Sequence, residues 1–160
     1  MDIRQHKFTN TEEINTIIGM SHFIKTVEDL AEIISTTVPS GKFGIAFCEA
    51  SGPALIRYEG NDKELTDRSV EIMNQVGAGH TFAISLKGIY PINILNKIKN
   101  CDEVVRIFCA TANPFTILSV SDGIGSSIIG IIDGVSPKGV ESEEDKKNRR
   151  DFLRKIGYKY

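Results

Sequence analysis

The clearest pattern in the chain is a set of short apolar runs, each closed by a polar residue. Residues 42–49 read KFGIAFCE, with no charge between Lys42 and Glu49. A run of this kind fits a strand covered on both faces, and its alternation of small with large side chains suits layers packed closely on a sheet. Residues 104–113, VVRIFCATAN, and 127–133, SIIGIID, have the same form and end in Asn113 and Asp133. Strands are also predicted at 2–8 (at an edge), 17–23, 54–58, 80–86 and 116–120. Residues 43–48 and 54–58 are joined through Ser51-Gly-Pro53 in a possible hairpin. Residues 116–120 and 127–132 flank Asp122-Gly-Ile-Gly125, a hairpin turn.

Between the strands the period changes to that of a helix. Val27, Leu30, Ala31, Ile34 and Val38 recur at helical spacing behind Thr26 and Asp29, a capping-box pair, and Pro39 and Gly41 stop that helix. Asn61 and Asp62 lead into a second helix whose core face is Leu65, Ser69, Ile72, Met73 and Val76, ending at Gly77 and Gly79. Pro91 starts a third, over 91–99, with Asn93 and Asn96 on one side. The fourth opens on a second capping-box pair, Ser142 and Asp145. It buries little, has Phe152, Leu153 and Ile156 as anchors, and is capped by Gly157. Residues 11–15 are expected to turn and 135–140 to form a loop. About seven strands and four helices, some joined by connections too short for crossovers, predict an α/β or α+β fold. It is one compact layered domain over 1–160, a mixed β-sheet flanked by helices.

Composition narrows the partners. The chain has 160 residues, 41% apolar and 25% charged, with a net charge of −2. No basic stripe is present, since the KKNRR run at 146–150 follows Glu143, Glu144 and Asp145; nucleic acid is not an expected partner. No apolar segment reaches membrane-spanning length and no secretory signal opens the chain, so a cytoplasmic protein without a membrane partner is expected. Three cysteines, Cys48, Cys101 and Cys109, without a CxxC, argue against a disulfide scaffold or structural zinc; Cys48 and Cys109 read as core. The chain lacks GxxxxGK[ST], a strand-linked GxGxxG, a GxSxG elbow and a His-x-x-x-His pair.

The candidate chemistry lies where apolar elements end. His22 and Lys25 stand before the first helix, Glu49 ends the central run, Asn61 and Asp62 start a helix, His80 opens a strand, and Asp133 closes one. A lysine near a helix start suits phosphate, asparagines offer the donor and acceptor that a base or ribose needs, and carboxylates can take a hydroxyl proton or hold magnesium. The set leans toward a nucleoside or nucleotide site.

The same junctions carry a family resemblance. SHFIKTVEDL at 21–30, KFGIAFCEASGPALIRYEGND at 42–62, GAGHTF at 77–82, PINILNKIKN at 91–100, RIFCATANP at 106–114, GIIDGVSPKGVE at 130–141 and LRKIGYK at 153–159 resemble the adenosine-specific kinase family of small archaeal and bacterial proteins. The resemblance spans nearly the whole chain. It implies a compact α/β protein, a homotrimer with sites near subunit boundaries, that binds adenosine or AMP. As a proposed activity it implies transfer of phosphate from ATP to the adenosine 5′-hydroxyl, with Mg2+; the alternative is a non-catalytic adenosine or AMP sensor or store. The site residues it implies are Ser21, His22, Lys25, Glu49, Ser51, Asn61, Asp62, His80, Asn93, Asn96, Asn113 and Asp133. Glu49 or Asp133 would be base or magnesium ligand, His22 and Lys25 phosphate contacts, and Asn93 and Asn96 nucleoside contacts. The chain departs from the family pattern at Met20, where glutamine is usual, and at Ser126-Ser127, where Gly-Arg is usual.

Overall fold

The central run 42–49 forms a strand whose two faces are built for different neighbours. In the computed structural model, which describes residues 2–11 and 13–160, this strand is β3 (Lys42–Cys48). Phe43, Ile45 and Phe47 point to one face and join a core cluster with Val27, Leu30 and Ile34, Phe82, Ile84 and Leu86, and Ile94 and Ile98. Ala46 and Cys48 point to the other face, with Ile72, Met73 and Val76 and with Phe115, Ile117 and Ile128. The alternation of large with small residues is therefore a difference between faces, as the two-residue period of a strand requires.

The elements run β1 (Asp2–Phe8), β2 (Asn15–Ser21), α1 (Thr26–Thr37), β3, β4 (Ile56–Gly60), α2 (Lys63–Val76), β5 (Thr81–Lys87), α3 (Pro91–Lys99), β6 (Val104–Thr111), β7 (Phe115–Ser121), β8 (Ser126–Asp133) and α4 (Glu143–Lys155). They form one layered α/β domain. The strands divide into a five-stranded sheet, ordered β4-β3-β5-β2-β6, and a three-stranded sheet, ordered β1-β7-β8. Each described pairing is antiparallel. Helices α1 and α3 cover one face of the larger sheet; α2 and the smaller sheet cover the other. That double cover explains why β2, β3 and β5 are apolar almost throughout.

Two glycines set the approach of α2. A Cβ on Gly44 would stand 2.1 Å from the Thr66 backbone nitrogen, and one on Gly60 would stand 2.3 Å from the Thr66 hydroxyl. Ser69 then reaches the Gly44 carbonyl and the Ser85 hydroxyl, both at 2.9 Å, so the polar atoms of this dry layer are paired. The buried face of α2 consists of Leu65, Ser69, Ile72, Met73 and Val76, as the spacing predicts.

Several boundaries differ from the sequence expectation. The strand expected at 17–23 begins at Asn15 and ends at Ser21, because residues 22–25 turn into α1. The strand expected at 54–58 is shifted to Ile56–Gly60; Ala54 has φ 51° and belongs to the turn. The capping box of Thr26 and Asp29 does not form. Thr26 lies inside the first helical turn, buried, and donates to the Phe23 carbonyl, while Asp29 pairs with Lys25 at 2.9 Å. The second box does form, with Ser142 and Asp145 exchanging bonds of 2.8 and 3.1 Å. Within the turn expected at 11–15, Glu12 lies outside the described residues. Helix α4 has no buried residue, in keeping with its few anchors. Among the described residues, no helix is long and apolar enough to cross a membrane.

Replacing Gly44 with Ala forces α2 off β3, because the clash is with backbone and cannot be relieved by a side-chain rotation. A loss of about 1–3 kcal/mol, the usual cost of overpacking, is expected in urea unfolding.

Candidate functional site

Strand direction gathers half of the expected residues at one end of the five-stranded sheet. β2 and β3 end where β4, β5 and β6 begin, because Met20 pairs with Thr81, Phe47 with Phe82, Cys48 with Ile56 and Ser21 with Val104. Ser21, His22 and Lys25 follow β2, Glu49 and Ser51 follow β3, and His80 precedes β5. Backbone hydrogen bonds join these loops. The His22 N–H donates to the Glu103 carbonyl at 3.1 Å, Ser21 to His80 at 2.9 Å, His80 to Cys48 at 2.7 Å and Glu49 to Leu55 at 3.0 Å. Register shifts between β2 and β6, at Ile18/Gly19 and Met20/Ser21, bend the sheet beside this end.

His80 holds a left-handed backbone conformation, φ 63°. Its ring lies nearly parallel to Phe47, centroids 5.9 Å apart, and its backbone is tied on both sides. A non-glycine residue keeps that conformation where its surroundings over-determine it. With Glu49 it lines a cleft of about 630 Å³ that also includes Met20, Asn74, Gly79 and Ser126. Two positions at which the chain departs from the family pattern, Met20 and Ser126, therefore face the same cleft.

The Glu49 carboxylate is fully engaged. Its Oε2 accepts from the Leu55 N–H at 2.8 Å and its Oε1 from Arg57 at 2.8 Å. The Leu55 amide, followed by Arg57, holds its pKa below the usual carboxylate value.

A second grouping adjoins His22. Asp29 from α1 and Cys101 and Glu103 from the turn before β6 place one ligand atom each within 4.8 Å of one another, a cluster that could hold a metal ion. Cys101 donates to Glu103 Oε2 at 3.1 Å. Lys25 pairs with Asp29 at 2.9 Å and stands 3.9 Å from Glu103. The Lys25 contact, followed by one from Glu103, lowers the pKa of Asp29, whereas burial and then Glu103 push the Cys101 thiol up to about 12. This cluster is not legible in the sequence. Asp29 reads as half of a capping pair, and neither Cys101 nor Glu103 belongs to a motif; the one signal is a cysteine and a glutamate two apart before an apolar strand.

The remaining expected residues lie toward the opposite end. Asn61 accepts from the Phe43 N–H and donates to the Gly41 carbonyl, both at 2.9 Å, and Asp62 caps α2 through Leu65 at 3.1 Å. Asn93 accepts from the Tyr90 N–H at 3.0 Å at the start of α3, and Asn96 is exposed on the same helix. Asn113 donates to Asp133 Oδ1 at 3.1 Å, and Thr111 donates to the same oxygen at 2.6 Å. Asn113 and Asp133 thus share a corner, while Glu49 lies at the other end of the sheet. Strands of seven residues separate the ends by about 20 Å. Cys48 and Cys109 are buried as expected, and burial raises their thiols to about 11 and about 12.

The profile of a family described as adenosine specific kinase matches residues 7–159. The chain is similar to the crystal structure of the PH1918 protein from Pyrococcus horikoshii OT3, at 42% identity and a TM-score of 0.92, covering 99% of each chain. Among curated proteins, none matches.

Because the folded state lowers the pKa of Glu49, its contribution to stability is complete above the ordinary value of 4.5 and fades as pH falls through the lower folded value. The stability gap between wild type and Glu49→Gln should be widest at neutral pH and should narrow below about pH 4.5, as read by urea unfolding across a pH series.

Proposed function

The chain belongs to the adenosine-specific kinase family, and from that membership we propose that it binds adenosine or AMP and transfers phosphate from ATP to the adenosine 5′-hydroxyl. The observation that carries the proposal is the convergence of Ser21, His22, Glu49 and His80 on one sheet end, where backbone bonds join the loops, with Lys25 and Ser51 on the same loops. His22 and Lys25 are exposed there at the start of α1 and contact phosphate; the cleft beside Glu49 and His80 has room for a nucleoside.

In-line transfer needs an oriented hydroxyl, a proton acceptor and neutralised phosphates. Of the two carboxylates, Glu49 is the poorer fit for magnesium, since the Leu55 amide and the Arg57 guanidinium already bond one to each of its oxygens and the guanidinium offsets its charge. Asp133 fits: Thr111 and Asn113 hold Oδ1, and among the described residues Oδ2 meets only the Cys109 thiol, at 3.8 Å. Magnesium is commonly held by one or two carboxylates together with substrate phosphates, whose charge it neutralises. Asp133 is accordingly the residue for the metal or for the hydroxyl proton, and Asn113 orients it. Glu49 positions the 55–57 segment and, through it, the cleft wall.

The family resemblance supports a homotrimer, in which one copy's Asn113–Asp133 corner would meet a neighbour's His22–Glu49–His80 end. A binding module that holds AMP without turnover is the second reading. The engaged state of Glu49 and the serine at 126 favour it.

Transfer of labelled phosphate from ATP to adenosine, with magnesium, tests the first reading. Asp133→Asn should lower turnover at least ~100-fold if Asp133 is the base; unchanged turnover removes that role, and tight AMP binding without transfer in the wild type selects the module. If the site is shared, adenosine affinity should vanish on dilution to monomer, followed by sedimentation and binding in parallel. A monomer with full affinity would sink the shared site.

A further inference from the structure

The carboxylate of Glu103 is 2% exposed and its Oε1 has no hydrogen-bond partner among the described residues. A buried carboxylate oxygen left unpaired is costly. The neighbouring cation does not relieve it, because Lys25 Nζ is 2.9 Å from Asp29 but 3.9 Å from Glu103, beyond hydrogen-bond reach. The other oxygen of the same carboxylate, Oε2, accepts from the Cys101 thiol at 3.1 Å, and the carboxylate belongs to the cluster of Asp29, Cys101 and Glu103. We propose that these three side chains form a binding site for a borderline-soft divalent cation of the zinc class, separate from the magnesium of phosphate transfer.

Three features fix the chemistry. The donor set is one sulfur and two carboxylates. Magnesium and calcium take oxygen ligands, whereas zinc accepts thiolate and carboxylate together. The spacing is nearly that of a coordinated ion. Ligands at about 2.0–2.3 Å from a tetrahedral centre stand roughly 3.3–3.8 Å apart; Cys101 Sγ and Glu103 Oε2 are already 3.1 Å apart, and no pair among the three ligand atoms exceeds 4.8 Å. The frame is rigid. Cys101 and Glu103 sit on one tight turn, closed by the Val104 N–H on the Cys101 carbonyl at 3.0 Å and anchored by His22 on the Glu103 carbonyl. Asp29 comes from the first turn of α1.

Binding balances in charge. The Cys101 thiol gives its proton to solvent, so one thiolate and two carboxylates face a dication. The Lys25 ammonium, paired with Asp29 Oδ2, brings the sum to zero. Three protein ligands leave a fourth position for water or a substrate oxygen, the open arrangement of catalytic rather than structural zinc. The site lies at the same sheet end as His22 and Ser21, so an ion there would also fix the loop that carries them.

The test uses full-length, chelator-treated protein without nucleotide, so its outcome is independent of phosphate transfer. Zinc chloride titrated by calorimetry should bind at one equivalent per chain and raise the melting temperature. Cobalt(II) in its place should give a sulfur-to-cobalt charge-transfer band. Cys101→Ser should lose the band and weaken zinc binding by at least about 100-fold, at or beyond the upper end for disturbing a ligand's support; Cys109→Ser should keep both. Glu103→Gln, which removes the buried charge, should melt no lower than wild type without metal and should lose the zinc-dependent rise. Absence of the cobalt band in the wild type overturns the proposal even if Cys101→Ser fails to fold. So does zinc binding that is unchanged in Glu103→Gln.

Discussion

The close approach of α2 to β3 is the constraint on which the rest of the molecule depends. It needs a strand with no side chain at Gly44 and a turn with none at Gly60. With α2 seated there, the small face of β3 is dry, the smaller sheet can lie beside α2 on the same layer, and the large face is left to α1 and α3. Central strands covered on both faces cannot offer polar side chains along their length without leaving them buried. Polar chemistry is thereby confined to strand ends. The two ends of the larger sheet differ in kind: one is laced by backbone bonds between four loops, the other is occupied by helix starts and their caps.

The fold was legible where a residue's neighbours along the chain decide its fate. The core face of α2, the start of α3 at Pro91 and the Ser142–Asp145 box each follow from local spacing, and each stands in the structure. Thr26 and Asp29 have the same spacing as Ser142 and Asp145, yet form no box. The difference is tertiary. Thr26 is buried against Ser21, and Asp29 is claimed by Lys25. A capping motif needs its side chains free to turn back on the helix, and at the head of α1 both are taken by a neighbour.

The site was legible in part for a related reason. Junction residues were visible because apolar runs stop at them, so Glu49, His80, Asn113 and Asp133 could be named from the chain alone. Which junctions meet depends on strand direction. Glu49, Asn113 and Asp133 all end strands, yet β3 ends where β6 begins, and only Asn113 and Asp133 come together. Glu103 carries no such signal: it lies one residue before a strand and in no motif, yet the fold buries it almost completely.

The cation pairing at this end follows one logic. Three anionic side chains, Glu49, Asp29 and Glu103, surround the loops that carry Ser21, His22 and His80. Arg57 serves Glu49 at 2.8 Å and Lys25 serves Asp29 at 2.9 Å. The guanidinium is planar, holds its charge and donates along a fixed direction, so Glu49 is committed to its partner. The Lys25 ammonium rides on a flexible stem, half exposed, and holds Asp29 at 2.9 Å while standing 3.9 Å from Glu103. Of the three acids Glu103 is the most deeply buried and, among the described residues, the least well matched by a cation. That mismatch, rather than the number of acids, is what distinguishes the turn before β6 from the Glu49 cleft.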